Sequence, residues 1–314
     1  MTENAEKPQD IAVLIPCYNE EAAIATVVND FRAQLPDARI CVFDNNSSDR
    51  TAEVAREAGA EVWFEPRQGK GNVVRRMFSE IEADVYLMVD GDATYDAASA
   101  GALVEELNSN KLDMVVARRL TTDADAYRAG HQWGNRMLTG AVARIFGHLL
   151  TDILSGYRAF SRRFVKSFPA MASGFEIETE LTIHSLQLRL PVGEIDTPYF
   201  ARPEGSASKL NTYRDGFRIL GTIVRLFVLE KPFQFFGLLA LAFVLASTAL
   251  FVPILVEYFA TGLVPKFPSL IVAVGGYVMA LLSLVMGILL YTTWITRLEM
   301  KRFRYLDTPR SPPA

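Results

Sequence analysis

The sequence predicts an α/β domain with a mostly parallel sheet, followed by an amphipathic helix and two membrane-spanning helices. Short, wholly apolar segments alternate with helical patterns between residues 11 and 119. Clusters of polar residues come directly after several of these segments. Two long stretches without a charged residue lie near the C-terminal end, at residues 232–256 and 268–296. These three observations place a ligand-binding domain, residues 1–210, before a membrane region.

The strands of the domain are predicted from their composition. The apolar segments are residues 11–15, 40–43, 62–64 and 85–89. Helical patterns separate them, at residues 20–35, 51–58 and 71–82. Strands that are apolar on both faces and alternate with helices are typical of a parallel sheet covered by helices on both sides. Ligands of such sheets bind in the crevice at the carboxyl ends of the strands.

The two uncharged stretches are each long enough for a transmembrane helix, which needs about 20 apolar residues. The loop between them, residues 257–266, is nearly neutral, whereas Lys and Arg residues flank the pair on its outer sides. Because excess positive charge marks the cytoplasmic side, we expect the N-terminal domain and both chain termini in the cytoplasm. Residues 211–231 are predicted to form a juxtamembrane amphipathic helix in contact with membrane lipids, and residues 297–314 a basic tail.

The bulk composition excludes some classes of protein. The formal net charge is −4 and the pI about 5.6, which argues against nucleic-acid binding because that needs a basic face. Cys17 and Cys41 are the only cysteines, so neither a disulfide framework nor a cysteine-bound zinc ion is predicted. Both are expected to be buried free thiols.

Three polar motifs follow predicted strands, at residues 16–21, 44–51 and 90–92. The second supplies acceptors for ribose hydroxyls or base edges, or alternatively a turn and a cap for the next helix. In the third, Asp90 and Asp92 lie one residue apart at a strand end. Such a pair can hold Mg²⁺ or Mn²⁺ against phosphate oxygens, because these hard cations prefer oxygen ligands.

Taken in this order, the motifs resemble the family 2 glycosyltransferases, whose catalytic domain has the Rossmann-like GT-A fold. Further motifs narrow the resemblance to the polyprenyl-phosphate branch, which includes the dolichol-phosphate mannose synthases. They are Arg118-Arg119 and residues 152–160, 174–180 and 202–210. The resemblance implies inverting, metal-dependent transfer of a hexosyl or N-acetylhexosaminyl group from a nucleotide-sugar to undecaprenyl or dolichyl phosphate. The product would serve later cell-envelope glycan synthesis or protein glycosylation.

The resemblance also implies roles for individual residues. The nucleotide would be bound by Pro16, Tyr18, Glu20, Asp44, Asn45, Lys70, Asp90 and Gly91. Asp90 and Asp92 would hold the metal ion, and Arg202 and Lys209 would close over the donor diphosphate. The acceptor phosphate would be bound by Arg118, Arg128 and Gln132. Asn45 stands where many relatives have Asp, and Thr94 where many have a further metal-binding Gln.

Several alternatives stay open. A processive polysaccharide synthase shares the Asp motifs but typically has a QxxRW motif and more membrane spans. A non-catalytic membrane adaptor would not need Asp90, Asp92, Arg118 and Lys209. Arg158 with Glu178 could be a structural ion pair, and Asp152 a loop anchor. The sugar and the base are undetermined, with a UDP-sugar weakly favoured over GDP-mannose. A homo-oligomer packed through membrane glycines is compatible with the sequence.

Overall fold

The computed structural model describes residues 9–121, 150–174, 176–202 and 224–310, together with residue 221 and short pieces between residues 137 and 147. The predicted site residues Arg128, Gln132 and Lys209, and most of the predicted amphipathic helix, lie outside this part of the chain. The chain divides into two compact units. One comprises Met1–Gly216 with Lys301–Ala314, and the other comprises Phe217–Met300.

The first unit is built on a sheet that has seven strands within the described residues. The strands are β1 Ile11–Cys17, β2 Arg39–Asp44, β3 Glu61–Phe64, β4 Val85–Met88, β5 Met114–Thr121, β6 Arg158–Ser161 and β7 Val192–Tyr199. Their order is β3-β2-β1-β4-β6-β5-β7, and β6 alone of these runs antiparallel to its neighbours. The predicted parallel strands β1 to β4 are confirmed. Their carboxyl ends bring the three polar motifs to one edge.

Helices cover both faces of this sheet. They are α1 Ile24–Gln34, α2 Thr51–Glu57, α3 Lys70–Glu80, α4 Ala100–Ser109, α5 Arg162–Ser167 and α6 Ile177–Leu188. Phe31 of α1 and Leu103 of α4 belong to the buried cluster on one face. On the other, the ring of Phe160 in β6 contacts Phe78 of α3 and Phe164 of α5. The predicted helix over residues 20–35 begins later, at Ile24.

The late start of α1 has a physical cause in the loop after β2. Side chains of that loop accept hydrogen bonds from backbone amides that a helix would otherwise leave unpaired at its start. The amide of Glu20 donates to Oγ1 of Thr51 at 2.8 Å, and that of Glu21 donates to Oδ2 of Asp49 at 3.2 Å. The two loops are therefore fixed to each other before the helix begins.

Strands β6 and β7 were not predicted. Strand β7 has the sequence VGEIDTPY, in which polar residues and Pro198 interrupt any apolar run. It forms one edge of the sheet, where a proline and half-exposed side chains are tolerated. Strand β6, of four residues, begins with the buried Arg158. Neither strand has the composition that predicts a buried parallel strand.

Residues 301–310, part of the predicted basic tail, pack against the rest of the first unit. The hydroxyl of Tyr305 donates a 2.7 Å hydrogen bond to the buried carboxylate of Asp113. The guanidinium of Arg163 lies 5.0 Å from the centre of the Tyr305 ring and donates to the carbonyl of Thr308. Arg162 donates to the carbonyl of Pro309. This segment therefore completes the first unit from the far end of the chain.

The second unit contains two long apolar helices, α7 Pro232–Thr261 and α8 Phe267–Asp307, the latter ending beyond the unit. Both are long and apolar enough to cross a membrane. They meet where a Cβ on Gly276 would lie 2.0 Å from Oγ of Ser247, a contact that only glycine permits. The hydroxyls of Thr248 and Tyr277 are 2.9 Å apart. Small residues at the contact let two helices pack closely in a bilayer.

Candidate active site

The loops after β1 and β2 form one wall of the site. The backbone of Asn19 takes the left-handed conformation, and its side-chain oxygen accepts from the amide of Ser48. Asp44, buried at the end of β2, accepts from the amide of Ser47. Glu20 is buried beside them. The wall is therefore polar, and a backbone amide holds the carboxylate of Asp44 in place.

Asn45 acts as a bridge between β2 and the loop before α3. Its amide group donates to the carbonyls of Glu65 and Arg67 at 3.2 and 2.7 Å, and its oxygen accepts from the amide of Gly69 at 2.7 Å. Three backbone partners leave the side chain little capacity for a nucleotide. Asn45 lines the cavity described below, but its main contacts fix the loop that carries Lys70.

We expect Asn45→Asp to lower the free energy of unfolding by about 2 kcal/mol, because a carboxylate cannot donate to the two carbonyls and leaves them unpaired. Thermal unfolding in detergent measures the change. Asn72→Asp is the matched control, since Asn72 donates to the single carbonyl of Gln68 in an exposed position. Equal unfolding temperatures for Asn45→Asp and wild type would contradict the bridging role.

Lys70 begins α3 and lies between two carboxylates. Its Nζ is 2.5 Å from Oδ1 of Asp90 and 2.5 Å from Oε1 of Glu178. Burial alone would lower the pKa of Lys70, but the charges of Asp90 and Glu178 outweigh it and raise that pKa above its usual value. The predicted alternative of an ion pair between Arg158 and Glu178 is wrong, because Glu178 pairs with Lys70.

Arg158 is instead satisfied by neutral oxygens. It is fully buried and donates to the carbonyls of Ser155 and Ile153 and to the hydroxyl of Thr182. Burial lowers its pKa to about 10, so it remains charged at neutral pH. Arg158 therefore anchors the segment before β6.

The second aspartate of the motif has a different pair of partners. Oδ1 of Asp92 accepts from the hydroxyl of Thr94 at 2.6 Å, and Oδ2 lies 2.6 Å from Nη2 of Arg202. Nη1 of Arg202 is 3.9 Å from Glu20. Burial and the charge of Asp90 raise the pKa of Asp92, while Arg202 acts in the opposite direction. Thr94 thus orients Asp92 through a hydrogen bond, which the sequence could not show.

These side chains enclose a cavity of about 330 Å³ at the carboxyl ends of β1, β2 and β4. It is lined by Pro16, Cys17, Tyr18, Glu20, Asn45, Gln68, Gly69, Lys70, Val73, Asp90, Gly91, Asp92 and Arg202. Of the predicted nucleotide-binding residues, all but Asp44 line it. Gly91 is needed for close packing, since a Cβ there would lie 2.4 Å from Sγ of Cys17.

The two adjacent arginines of β5 point to opposite faces of the sheet, as successive strand residues must. Arg118 is half exposed and paired with Asp196. Arg119 is nearly buried, donates to both oxygens of Asp152 at 2.7 Å and lies over the Tyr199 ring. The role of Arg118 in binding the acceptor phosphate therefore stays a prediction, and Arg119 is the arginine of the pair that packs towards the Asp motif.

Arg119 reaches the Asp motif through two tyrosines. The rings of Tyr199 and Tyr95 are in edge contact, and the amide of Phe200 donates to the carbonyl of Thr94. Burial raises the pKa of Tyr199, and the charge of Asp92 raises it further. The sequence shows the arginine pair, but it does not show which of the two side chains lies on the face of the sheet nearer the Asp motif.

Asp90 and Asp92 fit a hard divalent cation as two of several ligands. No group of three acidic, histidine or cysteine side chains encloses a metal among the residues that the structure describes. Mg²⁺ typically keeps positions for water and substrate phosphate and uses one or two carboxylates. The pair therefore suits an ion that is bound together with a diphosphate.

Comparisons with known proteins identify the family of the chain. Residues 12–168 match the profile of Glycosyl transferase family 2. Glycosyltransferase AglJ of Haloferax volcanii is 34% identical over 252 residues, which are 80% of this chain and 82% of that protein. The dolichyl-phosphate hexose transferase of that organism is 28% identical over 225 residues, 71% of this chain and 96% of that protein.

Among solved structures, glucosyl-3-phosphoglycerate synthase from Mycobacterium tuberculosis, in complex with Mn²⁺, UDP-glucose and phosphoglyceric acid, superposes with a TM-score of 0.57. The identity is 22%, and the match covers 70% of this chain and 79% of that one. This likeness confirms the predicted GT-A fold of the catalytic unit. The profile match and the relatives show that the chain belongs to glycosyl transferase family 2, as its motifs predict.

Proposed function

We propose that this protein transfers a sugar from a nucleotide-sugar to a polyprenyl phosphate at the cytoplasmic face of a membrane. The observation that carries the proposal is the cavity in which Asp90, Asp92, Lys70 and Arg202 meet at the carboxyl ends of the strands. Carboxylates for a cation and cations for a diphosphate lie within one small volume. The name of the dolichyl-phosphate hexose transferase supports the acceptor class.

The donor would bind with its nucleoside against the wall formed by Tyr18 and Glu20. Asp92 and Asp90 would hold Mg²⁺ or Mn²⁺, which offsets the charge that develops on the leaving nucleoside diphosphate. Arg202 occupies Oδ2 of Asp92 in this structure. With a metal ion on that oxygen, the guanidinium of Arg202 would instead be available to bind the diphosphate. Lys209, which follows Arg202 in the chain, would add a further positive charge to the binding of the diphosphate.

The acceptor side needs a phosphate-binding group and no strong base. A phosphate monoester has its second pKa near ~6, so it is largely dianionic at neutral pH. We propose Arg119 in place of Arg118 as one ligand of this phosphate, because guanidinium binds phosphate oxygens in a bidentate manner. Arg128 and Gln132 remain proposed ligands.

In the reaction, a phosphate oxygen of the lipid attacks the anomeric carbon as the bond to the donor diphosphate breaks. The electron pair of the broken bond leaves with the nucleoside diphosphate, whose charge Arg202 and Lys209 stabilise. No proton has to move at the nucleophile. A single displacement inverts the anomeric centre, so an α-linked donor gives a β-linked product.

The membrane helices give a reason for this acceptor, since a polyprenyl chain stays in the bilayer. Residues 301–310 pack on the same unit as residues 9–202. Chain segments before α7 and after α8 are therefore on one side of the membrane if both helices cross it. The flanking Lys and Arg residues support the cytoplasm as that side.

The test is sugar transfer by the full-length protein in detergent with Mn²⁺, using radiolabelled UDP-glucose, UDP-galactose, UDP-N-acetylglucosamine and GDP-mannose. Undecaprenyl phosphate and dolichyl phosphate are the acceptors, and undecaprenyl diphosphate is the control. We expect label in the lipid phase with one donor and only with a monophosphate. Transfer to the diphosphate lipid, or no transfer while the donor is hydrolysed, would contradict the proposed acceptor.

A further inference from the structure

A cluster of three charged side chains lies at the wall of the donor cavity. It consists of Lys70, Asp90 and Glu178, which we call the Lys70 cluster. We propose that Glu178 is a positioning residue for the donor: it holds the Lys70 ammonium so that its remaining N–H meets an oxygen of the donor diphosphate. This inference rests on the proposed function and adds a residue that lies outside the cavity lining.

Lys70 has one glycine on each side, and these two glycines make the cluster possible. A Cβ on Gly69 would lie 2.2 Å from the carbonyl oxygen of Ser173, and one on Gly71 would lie 2.2 Å from that of Ala172. Only glycines let the first turn of α3 approach this segment so closely. The segment leads directly into α6, whose first turn carries Glu178. The sequence Gly-Lys-Gly thus brings Lys70 against Glu178.

The solvent-exposed fraction of each of the three side chains indicates its role. Asp90 is 29% exposed and lines the cavity, Lys70 is 9% exposed, and Glu178 is 5% exposed and lies outside the lining. An ammonium has three N–H donors, of which Asp90 and Glu178 take two. The third is left for a ligand in the cavity that Lys70 lines. Glu178 can therefore act on the donor only through Lys70.

Glu178 also keeps Lys70 in place. Its second oxygen, Oε2, is buried without a hydrogen-bond partner among the described residues. Lys70 is the one cation within ion-pair distance of Glu178 in the same part of the chain. If Lys70 moved away, a buried carboxylate would be left without its counter-charge, which is strongly unfavourable. Lys70 is thus held at the wall, in contrast to Arg202, which Asp92 binds nearer the surface.

The packing of α3 against the segment before α6 does not depend on Glu178. Nε of Arg75 donates to the carbonyl of Ala170 at 2.8 Å. The carboxylate of Glu180 accepts from the amides of Met171 and Ala172 at 3.0 and 2.7 Å. Glu180 therefore provides a matched control, because it lies two residues from Glu178 and stabilises the same segment without touching Lys70.

The experiment is a double-mutant cycle with Glu178→Gln and Lys70→Met. The dissociation constants of UDP and GDP are measured for each protein of the cycle. Isothermal titration calorimetry on the full-length protein in detergent with Mn²⁺ measures binding without the acceptor. We expect Glu178→Gln to weaken nucleotide binding about tenfold in the wild-type background, where it loosens a charged hydrogen bond. In the Lys70→Met background it should cause no further loss, because its effect passes through Lys70. Glu180→Gln should stay within about twofold of wild type.

Equal weakening by Glu178→Gln in both backgrounds would overturn the inference, as would no weakening in the wild-type background. A wild-type protein that binds neither UDP nor GDP would refute the proposed function itself, which separates the two failures. If Glu178→Gln does not fold, Glu178→Asp replaces it. Aspartate keeps the charge but draws the carboxylate back from Lys70, and the same dependence on background is expected.

Discussion

Replacing Asp92 by Asn is expected to lower the rate of sugar transfer by about a thousandfold while the protein stays folded. Asparagine has the same shape and keeps an oxygen that can accept from Thr94, so the buried position is preserved. It lacks the charge that would hold a divalent ion, and removing such stabilisation of a developing charge costs about 10² to 10³ in rate. Radiolabelled transfer to polyprenyl phosphate measures the loss.

Asp96→Asn is the control for this substitution. Asp96 lies four residues further along and accepts from the amide of Ala98 and the hydroxyl of Ser99, so it caps a short helical turn. Its variant should transfer sugar at nearly the wild-type rate. If Asp92→Asn kept more than a tenth of wild-type activity, the assignment of the metal to this aspartate would fail.

The adjacent arginines of β5 allow a second large effect to be tested with a nearly ideal control. We expect Arg119→Lys to lower transfer to polyprenyl phosphate about a hundredfold at limiting lipid, because lysine cannot replace the bidentate guanidinium. Arg118→Lys, on the opposite face and half exposed beside Asp196, should change transfer less than about threefold. Steady-state kinetics with the lipid as the varied substrate measures both.

The expected loss in Arg119→Lys should appear in KM for the lipid, with the dissociation constant of the donor unchanged. Because Arg119 also pairs with the buried Asp152, its unfolding temperature has to be compared with that of wild type. A larger loss in Arg118→Lys than in Arg119→Lys would restore the assignment made from the sequence.

The arginine pair also illustrates where prediction from sequence ends. The apolar segment before it is buried on both faces, so it lacks the alternation that would give the direction of each side chain. The strands β1 to β4 could be predicted, as could the position of Asp90 and Asp92 at the sheet edge. The face on which Arg119 lies could be found only from the pairing of β5 with β6 and β7.

Glu178 shows a second limit of prediction from sequence, because contacts between residues far apart in the chain cannot be inferred from it. Its partner Lys70 lies in another motif, and the sequence offered Arg158 as the nearer candidate. Only the approach of α3 to the segment before α6 selects Lys70. By contrast, the resemblance of the motifs to the family implied that Pro16, Tyr18 and Gly91 bind the nucleotide, and all three line the cavity.

The packing of residues 301–310 against the catalytic unit has a consequence for how the protein is made. Asp113 and Arg162 precede both uncharged apolar stretches in the chain, but their partners Tyr305 and Pro309 leave the ribosome after those stretches. The domain can therefore complete its packing only once those helices have been synthesised. Translation order thus makes the finished enzyme domain a late product, formed in chains that already contain both candidate membrane spans.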